Sequence, residues 1–136
     1  MTLDSQDKQS LSDVRMIKAR EFLEDAKANL REGRHRTAIN RSYYASLSAV
    51  RAILILDGAN PETHEGVITM LSLRFIKPGL LPVEVVKNFK VLLSRRTDVD
   101  YGDFDTIGQV DAEDSIKITI ELIGLIEKSR QKMMSA

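Results

Sequence analysis

Residues 36–56 constrain the fold more than any other stretch. Ala38-Ile39 and then Tyr43 through Leu56 place apolar side chains on more than one face of a helix. A helix that is apolar on several sides belongs in the centre of a bundle, with other helices laid against it. The flanking segments supply those helices. Met16, Ala19, Leu23, Ala26 and Leu30 step by three and four, painting one face of a first helix. Ser10 or Ser12 is placed to cap it, and Gly33 stands just past its end. The second helix stops at Gly58. Asn60-Pro61 then opens a third over about Glu62 to Phe75, with Asn60 as cap, ending before Lys77-Pro78-Gly79. Pro82 opens a fourth, in which Val85, Phe89, Leu92 and Leu93 share a face. Thr97 to Gly108, rich in Asp, Gly and Thr, reads as the longest loop, and long loops in compact domains are often functional.

The last segment carries two signals. Ile116, Ile118, Ile120 and Leu122 alternate as in a strand, yet Asp111-Ala112-Glu113-Asp114 is an acidic helix start and Lys128 and Arg130 suit the other end. About twenty residues is too long for an ordinary strand, and no partner strand is visible, so a fifth helix is expected. The fold class is therefore all-α, an up-and-down antiparallel bundle of about five helices. Seven Gly and three Pro in 136 residues fall short of the roughly 12% average usage, which argues against a turn-rich sandwich or barrel. Residues 1–10 carry little to bury and read as a frayed leader before one domain over residues 11–132.

Composition also excludes chemistry. With no Cys, disulfides, thiolate nucleophiles and Cys-based metal centres are ruled out. His35 and His64 alone cannot make a His-rich metal site, and no cofactor is implied. Twenty basic and twenty acidic side chains cancel, so any phosphate binding must come from a local cluster. No apolar run approaches the roughly 18 residues of a membrane helix, and the polar start has no signal-peptide core. A cytoplasmic protein without membrane association is expected.

Three clusters can carry function. Asn40-Arg41-Ser42-Tyr43-Tyr44-Ala45 sits in the second helix, where Asn40, Tyr44, Leu47 and Arg51 share one stripe. Tyr43 or Tyr44 is equally well read as a core aromatic with its hydroxyl bonded. Thr63-His64-Glu65-Gly66 opens the third helix, where free N–H groups and the dipole favour an anion beside His64; the plainer reading is a Thr63 cap with His64 on the surface. Arg95-Arg96-Thr97-Asp98-Val99-Asp100-Tyr101 runs off the fourth helix. Its arginines suit a helix C-terminus, and beside a Tyr they also suit a phosphate and a base.

The order NRSYYA, a helix-ending DG, P-x-TH-x-G and R-x-x-x-x-DY (Arg95 to Tyr101) resembles the HEPN family of small prokaryotic helical proteins, over about residues 11–130. It is most similar to the stand-alone members encoded beside minimal nucleotidyltransferases. The resemblance implies a helical bundle, usually a homodimer, associated with nucleotides or RNA. Many members are metal-independent ribonucleases that carry Arg, four to six residues and then His, with two copies meeting to form the cleavage site. Arg95 and Arg96 occupy the Arg position; Asp100 and Tyr101 stand where the His belongs. His titrates near about 6.5, whereas Tyr near about 10 and Asp near about 4 cannot both take and return a proton at neutrality without a large shift. In the family a Tyr close to the motif can accept adenylyl groups, and Tyr101 is the matching residue.

The resulting expectation is a nucleotide- or RNA-binding partner of a nucleotidyltransferase in a toxin–antitoxin-like module, with weak or no catalysis. The alternatives are an active ribonuclease using Arg95 or Arg96 with Asp100, Tyr101 or His64, and a non-catalytic helical scaffold. Asn40, Tyr44, Arg95, Arg96, Asp100 and Tyr101 are expected to line one cleft with His64, and Arg41 to assist binding. A homodimer is expected too, because the second helix has more apolar sides than its own chain is expected to cover.

Overall fold

The computed structural model describes residues 3–102 and 107–135. Its helices are α1 (Ser5–Arg31), α2 (His35–Leu56), α3 (His64–Leu71), α4 (Val83–Tyr101) and α5 (Gln109–Ser135). No strand occurs among the described residues, so the protein is the all-α bundle expected of it. No helix among them is long and apolar enough to cross a membrane.

Helix α2 is the axle. Ile39, Tyr43, Val50, Ile53 and Leu54 are fully buried on it, interleaved with buried Ala38, Ser42, Ala45, Ser46, Ala49 and Ala52. These small side chains let α1, α4 and α5 lie close against three sides of α2. Most of its apolar faces are thus covered by helices of its own chain, with Tyr44, Leu47 and Leu56 left partly exposed. Glycines stop the first two helices by taking left-handed backbone. Gly33 has φ +76° and Gly58 +82°; behind them Arg34 N donates to Asn29 O at 2.8 Å and Ala59 N to Leu54 O at 2.9 Å.

Three boundaries differ from the sequence expectation. Helix α1 begins at Ser5, so residues 5–10, expected as a frayed leader, are helical. Asp4 rather than Ser10 or Ser12 caps it, accepting from Asp7 N at 2.8 Å. Ser12 is instead buried, its hydroxyl donating to Ala52 O of α2 at 2.7 Å. At α3 the cap is Thr63, not Asn60, and the helix widens at its end into a π-type turn (Ser72–Ile76) that carries buried Phe75. Finally, α4 continues through Thr97–Tyr101, where the Asp, Gly and Thr content of residues 97–108 predicts loop. The Arg96–Asp100 pair, a Thr97 Oγ1 bond to Leu93 O at 2.9 Å and an Arg36 bond to Val99 O at 2.7 Å support that last turn. It ends at Gly102, where a Cβ would lie 2.6 Å from Asp98 O. The rest of the expected loop includes residues 103–106, outside the described residues.

A buried arginine ties three helices together. Arg130 of α5, 6% exposed, reaches Asp13 at 2.7 Å and Ser12 Oγ at 3.2 Å on α1, and Glu127 at 3.0 Å on its own helix. Through Ser12 the same contact extends to α2.

Candidate functional site

Adjacent residues on a helix point about 100° apart. Tyr43 and Tyr44 therefore diverge, one into the core and one towards the groove beside α1. Tyr43 is fully buried, with ring centroids 5.6 Å from Phe89, 5.4 Å from Tyr44 and 5.6 Å from His64. Its hydroxyl shares a hydrogen bond with His64 Nδ1. Burial pushes the Tyr43 phenol above the usual tyrosine range, and the nearby Arg96 charge offsets this only in part. A phenol that keeps its proton can donate it to Nδ1.

His64 owes its position to the turn before it. Thr63 Oγ1 accepts from Gly66 N at 2.9 Å, capping α3. A Cβ on residue 66 would stand 3.0 Å from Thr63 Oγ1 and 3.1 Å from Pro61 Cβ, so glycine lets the turn close. The P-x-TH-x-G motif is thereby explained: it caps a helix and aims one imidazole at Tyr43.

Arg96 lies over both rings, its guanidinium carbon 5.7 Å from the Tyr43 centroid and 5.6 Å from that of Tyr44. One terminal nitrogen donates to Tyr44 Oη at 3.1 Å. Nε stands 3.0 Å from Asp100 Oδ2, close enough for an ion pair. Its N–H is not aimed at the carboxylate, however, and this buried nitrogen makes no hydrogen bond. Arg96 thus keeps hydrogen-bonding capacity unspent in a half-buried site.

Of the expected cleft, Tyr44, Arg96 and Asp100 come together, and Tyr43 links them to His64. The other residues stand elsewhere. Arg95 turns to α5, reaching Asp114 at 2.9 Å and Ser115 Oγ at 3.0 Å. Tyr101 is 74% exposed. Arg41 lies over the Phe22 ring at 5.7 Å. Asn40 is half-buried, and neither it nor Tyr101 bonds to the cluster among the described residues. The reason is helical continuation: positions 96 and 100 share a face, while 95 and 101 sit about 100° to either side. Tyr43 was legible only as a core aromatic, although it is also the connecting member of the site. Among the described residues no group of three or more His, Cys, Asp or Glu is gathered to hold a metal.

Comparison with known proteins gives this geometry a context. A Thermotoga maritima protein named UPF0332 is 32% identical over 111 residues, 82% of this chain and 84% of that one. A Methanocaldococcus jannaschii protein named as a candidate toxin is 33% identical over 76 residues, 56% of this chain and 52% of that one. A crystal structure of a Thermus thermophilus protein shares the fold with TM-score 0.75 at 17% identity, covering 87% of this chain and 97% of the other. That of an archaeal HEPN homologue does so with TM-score 0.70 at 17% identity, covering 86% and 95%. The HEPN domain itself matches residues 13–129, from α1 nearly to the end of α5, and this chain belongs to the HEPN domain family.

Proposed function

We propose that this chain is the nucleotide- or RNA-binding member of a toxin–antitoxin-like pair, with a minimal nucleotidyltransferase as its partner and weak or no catalysis of its own. The observation that carries the reading is Arg96: a guanidinium laid on two tyrosine rings, with spare donor capacity and no imidazole on its own helix. Such a group grips phosphate and stacks with a base, but it does not titrate near neutrality. Membership of the HEPN family and relatives named as candidate toxins support the biological setting. A homodimer belongs to the same proposal. The exposure of Tyr101 supports its role as the adenylyl acceptor. There the phenol oxygen would attack the α-phosphorus of ATP, pyrophosphate would leave, and the phenolic proton would pass to solvent.

One observation favours the ribonuclease reading as a second: Tyr43 connects His64 to Arg96, so an imidazole does reach the cluster from α3. Purified protein incubated with single-stranded RNA separates the two. The expected result is binding at micromolar affinity or weaker, reduced about tenfold in Arg96→Ala by loss of one charge-assisted contact, with no cleavage. Robust cleavage that disappears in both Arg96→Ala and His64→Ala would establish the ribonuclease instead.

A further inference from the structure

A cavity of about 250 Å³ lies between α1 and α2, lined by Arg15, Lys18 and Phe22 on one side and Tyr44, Ser48 and Arg51 on the other. Three cations surround it. Among the described residues none of the three forms an ion pair, whereas Arg20, Arg34, Arg74, Arg95, Arg96 and Arg130 all do. The partners Arg15 and Arg51 have are neutral: both donate to Asn60 Oδ1, at 2.9 and 3.4 Å, and Arg15 also donates to Arg51 O at 3.2 Å. One amide oxygen thus holds two like charges together. Arg51 Nε is buried and makes no hydrogen bond. Burial, and secondarily the Arg51 charge, push the Arg15 pKa down.

In a chain whose charges cancel overall, this is a local surplus of positive charge around a hollow, with a buried donor left open. A phosphate matches it. Guanidinium forks grip phosphate oxygens in pairs, and a lysine at the mouth adds a mobile point charge. The two rings at the cavity offer the rest of a nucleotide an aromatic surface to lie against. The Phe22 and Tyr44 centroids lie 5.9 Å apart with the rings tilted by 34°, and aromatic faces accept bases without regard to sequence. The cavity is smaller than the roughly 300–1,000 Å³ of pockets that enclose whole small molecules, so it has room for a phosphate group with the nucleoside outside. Tyr44 joins the two regions, since its hydroxyl accepts from Arg96 while it also lines the cavity.

We propose that this cavity is a phosphate site, in which Arg15, Lys18 and Arg51 hold one phosphate ester of a nucleotide or an RNA strand. The nucleoside rests on the function proposed above; the phosphate site does not, and inorganic pyrophosphate tests it alone. Titration of the full chain with pyrophosphate, followed by calorimetry and amide NMR shifts, is expected to perturb residues around 15, 18, 48 and 51. Lys18→Gln, at an exposed position that leaves the fold intact, and Arg51→Gln are each expected to weaken binding about tenfold, and Lys128→Gln on α5 to leave it unchanged. A single-stranded oligonucleotide and a mononucleotide form the second arm. Tighter binding of the oligonucleotide, with a salt slope that falls by about 0.7 per cation removed, identifies a strand as the source; equal binding identifies a free nucleotide. Pyrophosphate affinity unchanged in both Lys18→Gln and Arg51→Gln, or shifts confined elsewhere, would overturn the site. Pyrophosphate affinity unchanged in those variants while RNA still binds would overturn the site and leave the proposed function standing. Pyrophosphate binding without any RNA or nucleotide binding would do the reverse.

Discussion

Tyr43→Ala is expected to lower the unfolding free energy by about 3–5 kcal/mol, the range for truncating a large buried aromatic. The ring is fully buried and touches Phe89, Tyr44 and His64, so the deletion opens a cavity at the centre of the bundle. It also leaves His64 Nδ1 without its partner. Tyr43→Phe separates the two costs. It keeps the packing and removes only the hydroxyl, at about 1–2 kcal/mol for one partner left unsatisfied. Urea unfolding followed by circular dichroism measures both. A Tyr43→Phe loss as large as that of Tyr43→Ala would mean that the hydrogen bond to His64, rather than ring packing, anchors α3 to the core.

The second large effect concerns Arg130. Replacing Asp13 by Asn and Glu127 by Gln together leaves a guanidinium that is 6% exposed with no countercharge. The expected destabilisation is about 3 kcal/mol, the lower end for a broken buried pair because the Asp13 side chain is half exposed. Adding Arg130→Met to that double variant is expected to restore much of the loss, since an apolar side chain needs no partner there. Acid will reproduce part of the effect in the native chain. Burial pushes the Glu127 carboxyl up, but hydrogen bonds from Arg130 and Gln131 and the charges of Arg130 and Arg20 outweigh it, leaving a net lowered pKa. A lowered folded pKa contributes stability that is complete above the ordinary value of 4.5 and is lost as pH falls below it through the folded value. Urea midpoints measured from pH 7 to pH 3 should therefore fall less steeply in Glu127→Gln than in the native chain. Parallel slopes would show that the bond between Glu127 and Arg130 is not what acid breaks.

The bundle was legible because its apolar spacing is strong wherever packing is tight. Residues 116–122 show why the period-two signal there misleads: the buried residues of α5 include Ile116, Thr119, Leu122, Ile123 and Ile126, which follow the helical repeat, while Ile120 is 46% exposed. An isoleucine on the outer face made a helix look like a strand. The last turn of α4 was hidden for the opposite reason. Asp, Thr and Val are poor helix formers, and one of the bonds that support the turn comes from Arg36, over sixty residues away in sequence. With that turn read as loop, Arg95, Arg96 and Tyr101 seemed free to converge; as helix, it fixes which of them face α2. Arg130 looked like a charge suited to a helix C-terminus, and nothing in its neighbours marks it as buried. Arg15, Lys18 and Phe22 look like any amphipathic outer face, and only the fold sets them opposite Tyr44, Ser48 and Arg51.

The burial of Tyr43 has a consequence in optics. The chain contains no Trp and three Tyr, so its near-ultraviolet absorbance comes chiefly from phenols, and ionisation of each adds a phenolate band. Tyr43 is held protonated above its ordinary value of 10.0 by burial. The stability this contributes is intact below that pH and declines as pH rises beyond it, because the unfolded chain releases the proton first. In an alkaline titration its share of the phenolate absorbance should arrive together with the loss of helical dichroism, so that one hydroxyl reports by colour the moment the centre of the bundle opens.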